Sequence, residues 1–158
     1  MPTARPYRLH LSMKLYTIGF TQKTAERFFT LLKNNGVGCL VDIRLRPNGQ
    51  LAGFARQIDL PYFLTELAAC DYRHIEALTP TDEILSEYRK DHNWSRYVGR
   101  FEALMESRDV PRALDRAMFE EKACCLLCSE ATPEKCHRRL VAERLARYWP
   151  GVEIVHLA

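Results

Sequence analysis

Long apolar runs and an excess of charge of one sign are both missing from this sequence. No stretch approaches the roughly 18 consecutive apolar residues of a membrane span, and the N-terminus lacks the apolar core of a secretory signal. The 23 Lys and Arg exceed the 20 Asp and Glu by only three, which is far from a basic, polyanion-binding tail. We therefore expect a cytoplasmic protein that makes no membrane contact.

Internal repeats, low-complexity tracts and linkers are also absent, which argues against an array of small modules. The chain has 158 residues, 47% of them hydrophobic, which is enough for one buried core. We expect residues 14–158 to form a single α/β domain. Residues 1–13 contain two prolines and no hydrophobic periodicity, so we expect a short, disordered N-terminal extension there.

The six cysteines do not resemble the framework of a small secreted protein. In a chain of ordinary cytosolic composition, we interpret them as buried apolar residues, ligands or reactive thiols rather than as disulfides. Cys39 and Cys70 stand alone in apolar surroundings, which is typical of core residues. The other four are clustered in sequence, at Cys124, Cys125, Cys128 and Cys136.

The first third of the chain predicts a β-α-β unit. Lys14–Ile18 has the continuous apolar character of a buried strand. A helix beginning at Thr21 or Gln22 follows, and a second buried strand spans Cys39–Ile43. This pattern predicts a parallel sheet with a right-handed crossover.

The rest of the chain predicts three further strands and a helical middle. Residues 44–56 should form a long loop, and residues 82–106 have helical periodicity. The further strands are predicted at Tyr72–Glu76, Ala123–Cys128 and Val152–His156, with a helix from Thr132 and Pro133 to about Tyr148 before the last one. We predict a single three-layer, Rossmann-like domain with a mostly parallel sheet of about five strands and an α-helical middle insertion.

Polar residues gather where the predicted strands end. Ligands of open parallel sheets bind beyond the carboxyl ends of the strands. The residues that this sequence places there are Gly19, Thr21, Asp42, Arg44, His74, Cys128, Glu130 and the tripeptide Cys136-His137-Arg138. We therefore expect the functional site at this edge of the sheet.

Asp42 is unusual because it lies in an apolar strand, where an unpaired carboxylate is costly. Arg44, two residues on, points to the same side of the strand. A structural Asp42–Arg44 ion pair is one interpretation. A site carboxylate that holds a substrate, a metal or a histidine is the other, and the sequence favours neither.

Cys128 stands at a predicted strand end that faces a helix N-terminus, which stabilises a thiolate and makes this residue a candidate nucleophile. His137 is a candidate base or proton donor, and the helix terminus with Arg138 would bind an anion such as phosphate. The tyrosine-phosphatase loop is not present, because Glu134 stands where that loop requires an arginine.

The same segment also contains zinc ligands. Cys125, Cys128, Cys136 and His137 are the inventory of a tetrahedral zinc site. Cys125 and Cys128 should face opposite sides of the sheet, however, and adjacent Cys136 and His137 should diverge on a helix. A site that uses only Cys128, Cys136 or His137, with Asp42, is a second possibility, and a purely structural tie between strands and helix is a third.

These residues resemble the bacterial and archaeal family of domain of unknown function 488. The similar segments are Thr17–Thr21, Val41–Arg44, Tyr72 with His74, and Leu127–Glu130 followed by Cys136-His137-Arg138, within a match from about Lys14 to Leu157. The resemblance implies a compact α/β domain in which these residues form one set. The family has no agreed activity, and its pattern does not fix a cysteine at the position of Cys125.

Two classes of function remain open. The first is an enzyme that acts on a phosphate-bearing substrate, a nucleotide or nucleic acid. Its predicted catalytic residues are Cys128, His137, Asp42 and Glu130, and its predicted anion-binding residues are Arg44, Arg138, Gly19 and Thr21. The second is a noncatalytic module that binds nucleotide, nucleic acid or protein through the same edge and the arginines of the last helix. We favour the enzyme, since a binder has less need of Cys, Glu and His side by side.

Overall fold

The computed structural model describes residues 12–158. The strands are β1 (Met13–Gly19), β2 (Cys39–Asp42), β3 (Asp71–His74), β4 (Cys124–Cys128) and β5 (Val152–His156). The helices are α1 (Ala25–Asn34), α2 (Leu60–Ala68), α3 (Asp82–Asp91), α4 (Trp94–Ser107), α5 (Arg116–Glu121) and α6 (His137–Tyr148). The predicted alternation of strands and helices, with α3, α4 and α5 as the middle insertion, is confirmed.

The five strands form one parallel sheet in the order β3-β2-β4-β1-β5. β4 lies at the centre, as its continuous apolar sequence predicts, and all five of its residues are buried. The register pairs Gly19 with Cys128, and Asp42 with both Leu127 and His74. The carboxyl ends of β1, β2, β3 and β4 therefore meet at one edge of the sheet.

Helices cover both faces of this sheet, which gives the three-layer, Rossmann-like α/β fold that the sequence predicts. Alternate residues of β4 divide between two cores: Cys124, Leu126 and Cys128 pack on the side of α4 and α6, and Cys125 and Leu127 on the side of α1 and α2. Cys125 and Cys128 thus point to opposite faces, as alternation requires. A zinc site that contains both of them is excluded.

α1 begins later than predicted. The sequence predicts a start at Thr21 or Gln22, but the helix starts at Ala25, after Thr24, whose side chain accepts a hydrogen bond from the backbone N–H of Arg27. Thr21 and Gln22 belong instead to a turn, because the Thr21 N–H donates to the carbonyl of Ser129 and Gln22 has a φ of 62°. The turn joins the end of β1 to the segment that follows β4.

α6 also begins later than predicted, at His137 rather than near Pro133. Residues 129–136 form turns and bends, and Cys136 caps the helix in an extended conformation, with φ −138° and ψ 139°. The expectation that Cys136 and His137 diverge on a helix is therefore wrong. A residue at the cap is free of helical geometry, so its side chain can turn to the same point as that of its neighbour.

The N-terminal extension was predicted for residues 1–13. Residues 1–11 lie outside the described part of the chain, and Met13 is the first residue of β1. No helix within residues 12–158 has both the length and the apolar character to cross a membrane.

Candidate functional site

A cleft of about 230 Å³ opens at the carboxyl edge of the sheet. Its charged wall is formed by three arginines, Arg44, Arg46 and Arg89. Cys128, Ser129, Glu130 and His137 lie around the end of β4 and the start of α6, and Leu45, Pro80 and Leu85 complete the lining. Arg44 and Arg46 also pair with Asp42 and Asp82, which lie outside the lining, so the cleft offers an anion chiefly Arg89 and the free N–H groups of Arg44.

Asp42 and Arg44 form a buried, bidentate ion pair. The Asp42 side chain is fully buried and that of Arg44 is 4% exposed. Arg44 donates from Nε to Oδ1 at 2.9 Å, from Nη2 to Oδ2 at 2.7 Å, and from its backbone N–H to Oδ1 at 3.1 Å. The ion pair, one of the two interpretations that the sequence left open, is therefore formed, and the catalytic role of Asp42 stays a prediction.

Tyr72 completes the surroundings of this carboxylate. Its hydroxyl donates to Asp42 Oδ2 at 2.6 Å, and burial together with this bond raises the pKa of Tyr72. Asp42 therefore accepts four hydrogen bonds and does not line the cleft. His74, opposite Asp42 in β3, lies beside the carbonyl of Arg44, with Nε2 2.9 Å from that oxygen, and is also outside the lining.

Arg44 retains one unused donor. Nη2 also donates to the carbonyl of Ala55 at 2.7 Å, and the guanidinium lies 5.4 Å from the centre of the Phe20 ring. Nη1 is buried and has no hydrogen-bond partner, while the side chain itself lines the cleft. A buried N–H without an acceptor is costly, so a bound anion would satisfy it.

Arg138 is the largest fully buried side chain among the described residues, with no exposed surface. Its Nη1 donates to the carbonyl of Glu130 at 2.6 Å and to Cys128 Sγ at 3.1 Å, and it lies 3.6 Å from Cys136 Sγ. Its Nε donates to Thr17 Oγ1 at 3.3 Å. The guanidinium therefore sits directly against both sulfur atoms.

Arg138 has no carboxylate partner within residues 12–158. Burial lowers the pKa of this guanidinium, but an arginine side chain stays protonated in a protein. A buried cation needs an anion to offset its desolvation. Of the groups that it contacts, only Cys128 and Cys136 can become anions, and only when they are reduced to thiols.

Gly19 makes room for this arrangement. A Cβ at this position would lie 1.6 Å from the carbonyl oxygen of Glu130, the same oxygen that accepts from Arg138, and 2.9 Å from Arg138 Nη1. The close approach of the backbone after β4 thus requires a glycine here, and the anion-binding role predicted for Gly19 stays a prediction. Thr21, also predicted to bind the anion, is exposed and does not line the cleft.

Cys128 and Cys136 form a disulfide bond in the structure. The expectation that the cysteines are not paired is wrong for these two, although Cys39, Cys70, Cys124 and Cys125 are free. The Cα atoms lie 7.7 Å apart, beyond the roughly 4.4–6.8 Å of most disulfides, so this backbone also accommodates two separate thiols. Cys128 lines the cleft and Cys136 does not.

His137 connects α6 to the end of β2. Its Nε2 lies 2.7 Å from the carbonyl of Ile43, and since a carbonyl only accepts, Nε2 carries the proton and Nδ1 has a free lone pair. Burial lowers the pKa of His137 to about 4, against the opposing effect of this hydrogen bond. The ring is therefore neutral at pH 7.

Three of the four predicted zinc ligands come together. One donor atom each of Cys128, Cys136 and His137 lies within 4.8 Å of the other two. When the cysteines are reduced, two thiols and a neutral imidazole are donors that fit zinc. Cys125 is on the opposite face, and the oxygens of Asp42 are occupied by Arg44 and Tyr72.

The fold and the site together define an all-parallel α/β protein with an arginine-lined cleft beside a pair of cysteines, Cys128 and Cys136. The chain belongs to the family described as domain of unknown function DUF488, whose model matches residues 24–145. The match leaves out the Thr17–Thr21 segment and the end of the chain. Neither the curated proteins nor the solved structures contain a detectable match.

Of the predicted site residues, the structure brings Cys128, Glu130, His137 and Arg44 onto one cleft and places Arg138 behind Cys128. Their roles stay predictions. Sequence reasoning missed Arg46 and Arg89, which reach the cleft from the loop after β2 and from α3. Their local sequence gives no signal for this, because both occupy polar segments in which an arginine is ordinary.

Proposed function

We propose that the protein is an enzyme that acts on a small anionic, phosphate-bearing substrate, with the thiolate of Cys128 as its nucleophile. The observation that supports this most strongly is the contact of Arg138 with Cys128: a fully buried guanidinium without a carboxylate donates to a sulfur at 3.1 Å. This environment favours the thiolate over the thiol, and the thiolate is the reactive form of cysteine.

The three arginines of the cleft supply the binding of the anion. Arg44 is held by Asp42 and leaves Nη1 without a partner, and Arg89 makes no ion pair within the described residues. Arg46 pairs with the exposed Asp82 and can exchange it for a substrate. In this proposal Asp42 orients Arg44 rather than moving protons, since its oxygens are already occupied.

Two further residues near Cys128 have proposed roles, Glu130 in proton transfer and His137 in positioning α6. Glu130 is exposed in the same cleft and is the group available to exchange a proton with the substrate or the leaving group. His137 is neutral and donates a hydrogen bond to the carbonyl of Ile43. It therefore fixes the start of α6 against β2 and adds no positive charge to the site.

The alternative, a binding module for nucleic acid, draws on the arginines of α6. The geometry supports it less, because these arginines are engaged within the protein. Arg144 pairs with Glu102 and Glu106, Arg147 pairs with Glu102, and Arg139 pairs with Glu143. Arg138 is buried, so α6 offers few free cations to a phosphate backbone.

Protection by inorganic phosphate tests the proposal. Reduced protein is alkylated with iodoacetamide, and modification of Cys128 is followed by peptide mass spectrometry with and without phosphate at constant ionic strength. We expect phosphate to slow alkylation of Cys128 several-fold in the wild type and less in Arg89→Ala. Slow alkylation of Cys128 that phosphate does not change would contradict both the nucleophile and the anion site.

A further inference from the structure

Cys128 and Cys136 are not equivalent, although their sulfur atoms are in contact. Cys128 ends β4 and lines the cleft, where a substrate can reach it. Cys136 caps α6 and lies outside the lining. Both side chains are buried, with 1% of Cys128 and 2% of Cys136 exposed, so it is their position relative to the cleft that distinguishes them. Cys128 therefore borders the space in which a substrate would lie, and Cys136 is next to Cys128 but not to that space.

Arg138 serves both sulfurs. Its Nη1 lies 3.1 Å from Cys128 Sγ and 3.6 Å from Cys136 Sγ, so whichever sulfur carries the negative charge has the cation beside it. The other cysteines lack such a contact. Cys125 lies with Leu127 on the opposite face of the sheet from Cys128. It is fully buried, and burial raises the pKa of its thiol.

We propose that Cys136 is the resolving thiol of Cys128, and that the pair reduces small anionic disulfides by cycling between dithiol and disulfide. This rests on the nucleophilic role of Cys128 proposed above. It adds the role of Cys136 and the reaction class, and it widens the substrate class from phosphate-bearing molecules to disulfides that carry an anionic group. The arginine wall selects for an anion, and a cleft of about 230 Å³ holds one half of a small organic disulfide.

The chemistry has two steps. The Cys128 thiolate attacks one sulfur of the substrate disulfide RS–SR; an S–S bond forms to Cys128, the substrate S–S bond breaks, and RS⁻ leaves and takes up a proton. The thiol of Cys136 then loses its proton and attacks Cys128 Sγ, forming the Cys128–Cys136 bond and releasing the second RS⁻. Two protein thiols are oxidised and one disulfide is reduced to two RSH, so atoms and electrons balance.

A single-turnover experiment with three matched disulfides tests this. The probes are 3,3′-dithiodipropionate, which is anionic, 2-hydroxyethyl disulfide, which is neutral, and cystamine, which is cationic. Reduced, full-length wild-type protein should release two small thiols per chain and end without an adduct. The anionic probe should react at least about tenfold faster than the cationic one at low salt, with the difference shrinking at high salt.

Cys136→Ser should release one thiol per chain and retain the other half of the probe on Cys128, as seen by mass spectrometry. This variant should fold, since serine is a favoured helix N-cap. Cys128→Ser should release none. Cys70→Ser is the matched control, because its hydroxyl can keep the thiol's hydrogen bond to the carbonyl of Asp71, and it should behave as the wild type.

The outcomes separate this inference from the proposed function. If the wild type releases one thiol and keeps the adduct on Cys128, the nucleophile stands and Cys136 is not a resolving thiol. If Cys128→Ser reacts like the wild type, both proposals fail. Equal rates with all three probes overturn the anion preference. Stoichiometric zinc in the reduced protein, lost in Cys128→Ser and Cys136→Ser, would make the pair metal ligands and overturn the inference.

Discussion

Two buried arginines stand at the same edge of the sheet and are neutralised in different ways. Arg44 has a carboxylate of its own, since Asp42 binds it through two oxygens, with Tyr72 as a further donor to that carboxylate. Arg138 is buried more completely and has no carboxylate, only carbonyl, hydroxyl and sulfur contacts. The first arrangement contains its own counter-ion, whereas in our proposal the second gains one only when the disulfide is reduced and a thiol loses its proton.

This difference between Arg44 and Arg138 indicates which of the two regions is the better candidate for catalysis. A satisfied ion pair has little left to offer a substrate beyond the one free donor of Arg44. In our proposal, an arginine that contacts two cysteines and no carboxylate favours the thiolate form of those cysteines when they are reduced. In the sequence, Asp42 is the more unusual residue, because it is a charge in an apolar strand. In the structure, Arg138 is the more unusual one, because it is buried without a carboxylate partner.

Removing the charge of Asp42 should break the first arrangement. Asp42→Asn leaves Arg44 buried without a counter-ion, so we expect the free energy of unfolding to fall by about 3–5 kcal/mol. Urea denaturation followed by circular dichroism measures this. Asp82→Asn, which breaks the exposed pair with Arg46, is the control and should cost about 1 kcal/mol or less. Equal losses in the two variants would mean that the buried pair is not special.

Filling the space at Gly19 should disturb the second arrangement. Gly19→Ala places a Cβ 1.6 Å from the carbonyl of Glu130 and forces apart β1 and the segment that presents this oxygen to Arg138. We expect a loss of about 1–3 kcal/mol. Gly99→Ala, in the middle of α4 with no atom near its Cβ position, should instead stabilise the protein by about 0.5–1 kcal/mol. An unchanged stability of Gly19→Ala in the same urea experiment would show that the backbone after β4 is not held against β1.

His137 joins the two regions and should make stability depend on pH. Its folded-state pKa of about 4 lies below the unfolded value of about 6.5, so the unfolded chain binds a proton first. Stability should fall as the pH is lowered from about 6.5 towards 4, by at most about 3 kcal/mol. His137→Gln should remove this part of the pH dependence, while His156, whose pKa is also lowered by burial, keeps its own contribution. Identical pH profiles of unfolding for wild type and variant would refute it.

Much of the fold could be predicted because strands and helices depend on local pattern. The apolar run of β4 indicates a central strand, and alternation separates Cys125 from Cys128. The starts of α1 and α6 were placed too early. Thr21 and Pro133 are acceptable helix-start residues, and only tertiary contacts, such as the bond from Thr21 to Ser129, decide that a turn forms there instead.

The site could be predicted only in part for a similar reason. Strand ends place Cys128 and Arg44 at one edge, since parallel strands share their polarity. The contact of Cys136 with Cys128 depends on the path of residues 129–136, and Arg89 comes from the helical insertion. Long-range placements of this kind leave no mark in the local sequence.

The most direct test of the account is the pH dependence of Cys128 alkylation in reduced protein, for wild type, Arg138→Met and Arg138→Lys. If Arg138 holds Cys128 as a thiolate, the midpoint in the wild type lies well below the ordinary thiol value of about 8.5. It should rise by about one pH unit or more in Arg138→Met and by less in Arg138→Lys, which keeps the charge. A wild-type midpoint near 8.5 that Arg138→Met leaves unchanged would contradict the account.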